Sequence, residues 1–131
     1  MNNEAHDNSF CHSGWLHKYP KNRSRGAKRR RFFILANAGA LVYYESVEKF
    51  QEDEARIKKS GDVKSRKFQK GEFTLTAATT ITRYYWAEAD RQSKNVIRLQ
   101  NEDEELLFEG ESDAHEDHWI EKVEALLKEL F

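Results

Sequence analysis

The chain has 131 residues, 38% of them apolar and 34% charged. That length fits one domain, and the mixed signs of the charges exclude a disordered chain. The net charge of −1 hides a strong polarity: residues 1–70 hold 16 Lys/Arg against 8 Asp/Glu, whereas residues 71–131 hold 6 against 15. A basic face set against an acidic one attracts anionic partners while limiting indiscriminate binding. Cys11 is the single cysteine, so no intramolecular disulfide forms and a reducing compartment is expected. Met1–Ser13 carries no apolar run, so neither a signal peptide nor a membrane span is expected there. Asn2 in place of Gly speaks against N-myristoylation.

Residues 1–12 read as a flexible leader and residues 13–131 as one domain. Gly14 to Tyr19 alternates large apolar and polar side chains, the pattern of a half-buried strand. Pro20 to Gly26 is a polar, basic turn, and Arg31 to Leu35 is a second strand. Ala36 to Ala40, with Asn37 and Gly39, is a turn that leads into a third strand, Leu41 to Tyr44. Val47 to Lys70 breaks this rhythm and reads as a long connecting loop, with room for a short helix near Val47–Ile57. Four more strands are expected at Glu72–Thr76, Thr79–Tyr85, Asn95–Gln100 and Glu105–Glu109. From Asp113 onward, Trp119, Ile120, Val123, Leu126, Leu127 and Leu130 fall on one stripe of an α-helix. Asp113 followed by Glu116 is read as a capping box. Seven strands and one amphipathic helix result, and the helix must cover an open face of the sheet.

Residues 14–35 contain Lys18, Lys21, Arg23, Arg25, Lys28, Arg29, Arg30 and Arg31 and no acid. In a hairpin, Lys18 ends the first strand while Arg29 and Arg31 open the second. Residues two apart share a face, so Arg29 and Arg31 converge with Lys18 and Arg30 points away. Three such cations call for an anion of high charge density, and an inositol ring with several phosphates fits.

The segments Gly14-Trp15-Leu16-His17-Lys18, Lys28-Arg29-Arg30-Arg31-Phe32-Phe33-Ile34-Leu35 and Leu41-Val42-Tyr43-Tyr44, with Trp119 on the last helix, resemble pleckstrin-homology (PH) domains over roughly residues 13–130. The resemblance implies a mostly β fold: a seven-stranded, partly open barrel of two near-orthogonal antiparallel sheets capped by a C-terminal helix. It also implies a non-enzymatic module that binds phosphoinositide headgroups through Lys18, Arg29, Arg31 and Tyr43, with Tyr44 the alternative tyrosine. The full signature is typical of members preferring 3-phosphorylated inositides. Two positions depart from it: the turn Asn101-Glu102-Asp103-Glu104 is acidic, and Lys28 stands where an aromatic residue is common.

Lys21, Arg23, Arg25, Lys28, Lys58 and Lys59 are auxiliary candidates for membrane or headgroup contact, with Lys64, Arg66, Lys67 and Lys70 on the same basic stretch. Each such charge near an anionic leaflet adds about 1 kcal/mol. The expected setting is therefore cytoplasmic, at the inner face of a membrane containing phosphoinositides, as a monomer with room for a protein partner.

Other readings compete with this one. In these readings the basic residues form a solvated edge, or read phosphatidic acid or phosphatidylserine without ring selectivity. A peptide-binding adaptor would use a sheet edge of the same superfold. Nucleic-acid binding is disfavoured by the acidic half. Tyr84-Tyr85-Trp86 is read as a strand filling core rather than a membrane wedge. His115 and His118 are read as a solvated helix turn rather than a metal site, and no cofactor is expected.

Overall fold

A computed structural model describes residues 9–20, 28–62, 66–86 and 94–131. Lys21, Arg23, Arg25 and Lys64 lie outside the described residues, as do the side chains of Tyr84, Tyr85 and Trp86. The strands are β1 (Phe10–Lys18), β2 (Arg29–Ala36), β3 (Ala40–Tyr44), β4 (Gln69–Thr74), β5 (Thr80–Trp86), β6 (Lys94–Gln100) and β7 (Glu105–Glu109); the helices are α1 (Val47–Ser60) and α2 (Asp113–Leu130).

All strand pairs are antiparallel, in the order β4-β3-β2-β1-β7-β6-β5. Two meanders thus make one hydrogen-bonded sheet. Their seam is short: His17 pairs with Glu109 and Lys18 with Phe108, and the Tyr19 amide adds a bond to the Leu107 carbonyl at 2.9 Å. β4 and β5 end the order without pairing to each other, so the barrel stays partly open.

β2 contributes to two hydrophobic clusters, one on each face. Phe33 and Leu35 face the barrel interior with Leu16, Leu41, Phe73, Ile97, Leu99 and Phe108. Phe32 and Ile34 face outward with Val42 and Tyr44. A strand buried on both faces reads as a continuous apolar run, and Phe32 to Leu35 is one.

The outer core needs a cover, and α1 supplies it. Val47 and Phe50 pack against the outer cluster, and the Phe50 ring meets Tyr44 and Phe32 at 5.4 and 5.8 Å. The long loop expected across Val47–Lys70 is therefore largely a helix, longer than the short one allowed for. Ser46 caps it by accepting from the Lys49 amide, and Gly61 ends it at φ 73°, a left-handed turn that a Cβ would disfavour. Asp53, fully buried, ties the helix to the sheet. It accepts from the backbone amides of Lys67 and Phe68 at 3.0 Å each and from Arg56 at 2.7 Å. Burial and the nearby Asp53 charge hold the Tyr44 phenol far above its usual range, so it stays neutral.

α2 closes the inner core through Trp119, Val123 and Leu126. Its cap is Ser112, which accepts from the His115 amide, rather than the expected Asp113. Glu116 does not complete a capping box. It accepts the Gly110 amide at 2.8 Å and the Arg83 guanidinium at 2.6 Å, and Arg83 also bonds Asp117. This clamp fixes α2 on β5.

β1 begins at Phe10, earlier than the Gly14 start read from alternation, so part of the expected leader is paired backbone. A bulge between Phe10 and His12 hides the pattern there. His12 packs its ring on Trp119 at 4.4 Å and on His118 at 4.8 Å.

Two outcomes are expected. Asp53→Ala leaves two backbone donors without their acceptor and lowers stability by about 2–3 kcal/mol in urea unfolding; wild-type stability would contradict the tether. Burial first, then the charges of His118, Lys122 and His115, hold the His12 pKa below 6.5. The unfolded chain therefore binds the proton more readily, and stability falls as pH drops through 6.5. Thermal melts between pH 7.5 and 5 should show this loss, reduced in His12→Phe.

Candidate functional site at the barrel mouth

The β1–β2 register decides which basic residues meet. Lys18 pairs with Arg29, Leu16 with Arg31 and Gly14 with Phe33. Paired residues share a face, so Lys18, Arg29 and Arg31 lie on the interior side, in line with Leu16 and Phe33. Tyr43 pairs with Phe33 and joins that side, while Tyr44 pairs with Phe32 and is buried in the outer core. Where the interior face reaches the rim, apolar residues give way to cations. A cavity of about 260 Å³ opens there, lined by Lys18, Pro20, Arg29, Arg31, Tyr43 and Lys70.

Lys18 lies with its ammonium 5.4 Å from the Tyr43 ring centre, and it also donates to the Tyr19 carbonyl at 3.3 Å. Burial raises the Tyr43 phenol above its usual value, with Arg31 pulling it down and Glu104 pushing it up. Tyr43 therefore remains a hydroxyl donor at neutral pH. Arg30 is on the opposite face, its guanidinium 4.0 Å from the Trp15 ring centre.

Two further residues shape this mouth: Lys70, named in the sequence only as part of a basic stretch, and Gly71, which the sequence does not single out. β3 and β4 pair with a register shift: Tyr43 opposes Gly71 and Tyr44 opposes Gln69. Lys70 is the extra residue of the resulting bulge, and it lines the cavity. Gly71 gives Tyr43 its place, because a Cβ on Gly71 would stand 2.2 Å from the Tyr43 hydroxyl oxygen. The motif Lys70-Gly71 before an alternating stretch is a weak signal of such a bulge.

The described auxiliary candidates, Lys28, Lys58 and Lys59, are dispersed. Lys28 sits at 3.0 Å from Glu109, whose buried carboxylate also accepts the Tyr19 hydroxyl. This ion pair anchors the start of β2 to the β1–β7 seam. Lys58 and Lys59 occupy the exposed last turn of α1, and neither lines the cavity. Among the described residues no group of metal-ligating side chains gathers. The His115 Nδ1 accepts the Glu111 amide at 3.0 Å instead. Among the described residues no helix is long and apolar enough to cross a membrane.

The family model for the PH domain matches residues 11–128. The chain belongs to the PH domain family. No protein of curated function matches it. Among solved structures, the C-terminal PH domain of pleckstrin in complex with D-myo-Ins(1,2,3,5,6)P5 is similar at a TM-score of 0.60 and 17% identity, covering 92% of this chain and 97% of that one. The solution structure of the C-terminal PH domain of human pleckstrin is similar at a TM-score of 0.64 and 17% identity, covering 98% and 87%. At that identity the likeness speaks for the fold, and the seven-stranded PH barrel with its C-terminal helix is the shared feature.

The Gly71–Tyr43 contact gives a test within this PH domain. Gly71→Ala should cost about 1–3 kcal/mol by overpacking, and much of that cost should vanish in a Tyr43→Ala background. A double-mutant cycle in chemical denaturation measures the coupling. Strict additivity would show that Gly71 does not seat Tyr43.

Proposed function

We propose that this PH domain is a non-catalytic module that carries its chain to phosphoinositide-bearing membranes, with a preference for 3-phosphorylated headgroups. The observation that carries the proposal is the convergence of Lys18, Arg29, Arg31 and Tyr43 on one rim cavity. Arg offers forked donors to phosphate oxygens, Lys a point charge and Tyr a hydroxyl. The similar pleckstrin domain was solved with an inositol pentakisphosphate, which supports a ligand of this class.

Recruitment runs in two stages. The basic half of the chain is drawn to an anionic, cytoplasm-facing leaflet over a Debye length. The rim cations then hold ring phosphates at short range, where salt screens less. A preference for the 3-phosphate follows from the resemblance of the β1–β2 motif and is the finer part of the proposal.

The test is vesicle co-sedimentation across a phosphoinositide panel with phosphatidylserine and phosphatidic acid, at two salt concentrations. Binding to 3-phosphorylated isomers should resist salt, and Arg29→Ala or Arg31→Ala should weaken it about tenfold or more. Arg30→Ala should leave it within about twofold, because its partner is Trp15. Equal losses for all three, or binding that follows total lipid charge, would mean a diffuse basic surface. Vesicle binding unchanged in Arg31→Ala would place the lipid contact away from this cavity.

A further inference from the structure

The mouth of the barrel is electrically lopsided. Lys18, Tyr43 and Lys70 border a second cavity of about 280 Å³ that adjoins the first, and Glu72, Glu104 and Glu105 also line it. Two of these acids are engaged by neighbours. Glu105 is 2.7 Å from Arg98, and Glu72 accepts from the Gln69 side chain at 3.1 Å. Glu104 is exposed at the rim, and its charge is felt by the Tyr43 phenol.

Glu104 is also held in place. The Asn101 side-chain oxygen accepts from the amides of Asp103 and Glu104 at 2.9 and 2.8 Å. The Asn101 amide group donates to the Thr74 carbonyl at 2.8 Å, which pins the β6–β7 turn to the end of β4. The pinned turn keeps the Glu104 backbone at the mouth, so its carboxylate stays within side-chain reach of an incoming anion.

Charge matching among the described residues then frames the ligand. A phosphate monoester carries about −1.5 to −2 at neutral pH, so two of them balance about four cations. Among the described residues, Lys18, Arg29, Arg31 and Lys70 are the basic residues lining the first cavity. A third ring phosphate directed across the mouth would meet Glu104.

Resting on the phosphoinositide reading above, we infer that Glu104 is a specificity-determining residue that makes the site favour headgroups with two adjacent ring phosphates over headgroups with three. The ring's remaining hydroxyls face the acidic wall, where a carboxylate accepts their hydrogen bonds. The phosphates face the basic wall.

The experiment is calorimetric titration of the whole chain with soluble inositol phosphates matching bisphosphate and trisphosphate headgroups, repeated with vesicles carrying the corresponding lipids. The proteins are wild type, Glu104→Gln, Glu104→Lys, Asp103→Lys and Arg31→Ala. Wild type should bind an adjacent-bisphosphate headgroup tighter than the trisphosphate. Glu104→Gln should narrow that gap, and Glu104→Lys should shift the ratio about tenfold or more toward the trisphosphate. Asp103→Lys makes the same charge change on the same turn away from the cavity lining, and should move the ratio far less.

A wild-type preference for the trisphosphate, or equal shifts from Asp103→Lys and Glu104→Lys, would overturn the inference while leaving the phosphate site intact. Failure of every inositol phosphate to bind, or binding unchanged in Arg31→Ala, would overturn the underlying site and the inference with it. The same preference for soluble headgroups with no vesicle binding would support the selectivity and identify a free inositol phosphate as its source.

Discussion

The register between β1 and β2 is the constraint on which both core and site depend. Along Arg29 to Leu35 every second residue faces the barrel, so one alternation places Phe33 and Leu35 in the core and Arg29 and Arg31 at the rim. A slip of one residue would send Phe32 and Ile34 inward and turn Arg30 to the mouth. The apolar half of β2 holds the register, because both of its faces are buried and neither set of side chains can leave. The basic half inherits its geometry from that packing. A cluster of like charges is thus held together by hydrophobic burial next door rather than by any attraction of its own.

The second face of β2 explains α1. Phe32, Ile34, Val42 and Tyr44 would be a wet apolar surface without it, and the helix inserted between β3 and β4 covers them. The same insertion sets where β4 begins, because Asp53 on α1 takes up the amides of Lys67 and Phe68 just before the strand. β4 then delivers Lys70 and Gly71 to the mouth. One helix therefore links the outer core to the site on the opposite side of the sheet, through backbone hydrogen bonds rather than through contact with ligand.

Several of these features were legible in the sequence for physical reasons. Period two over Gly14 to Tyr19 and the stripe from Trp119 to Leu127 are strong local signals, and they place β1 and α2. The convergence of Lys18 with Arg29 and Arg31 needed only a hairpin and the pleat. α1 was harder. Val47, Phe50 and Ile57 are spaced by helical turns but diluted by charge, although Ser46 and Gly61 mark its ends. The need for such a helix is written in the unbroken run Phe32 to Leu35. The role of Asp53 was not readable, since a buried acid depends on donors from a distant segment. Ser112 holds the cap expected of Asp113, and Glu116 is drawn to Arg83, a residue thirty-three positions away in sequence. Lys70 and Gly71 belong to a bulge, and a bulge leaves no periodic trace.

The most direct test of the central claim is to titrate isotopically labelled protein with an inositol bisphosphate and map the amide and side-chain shifts by NMR. The account predicts that shifts concentrate on the interior-facing rim, at Lys18, Arg29, Arg31, Tyr43 and Lys70, while the Trp15 indole and Arg30 side chain stay near their free positions. Perturbations centred on Trp15, Arg30 and α1 instead would place the ligand on the outer face. The register would then still explain the fold, and it would no longer explain the function.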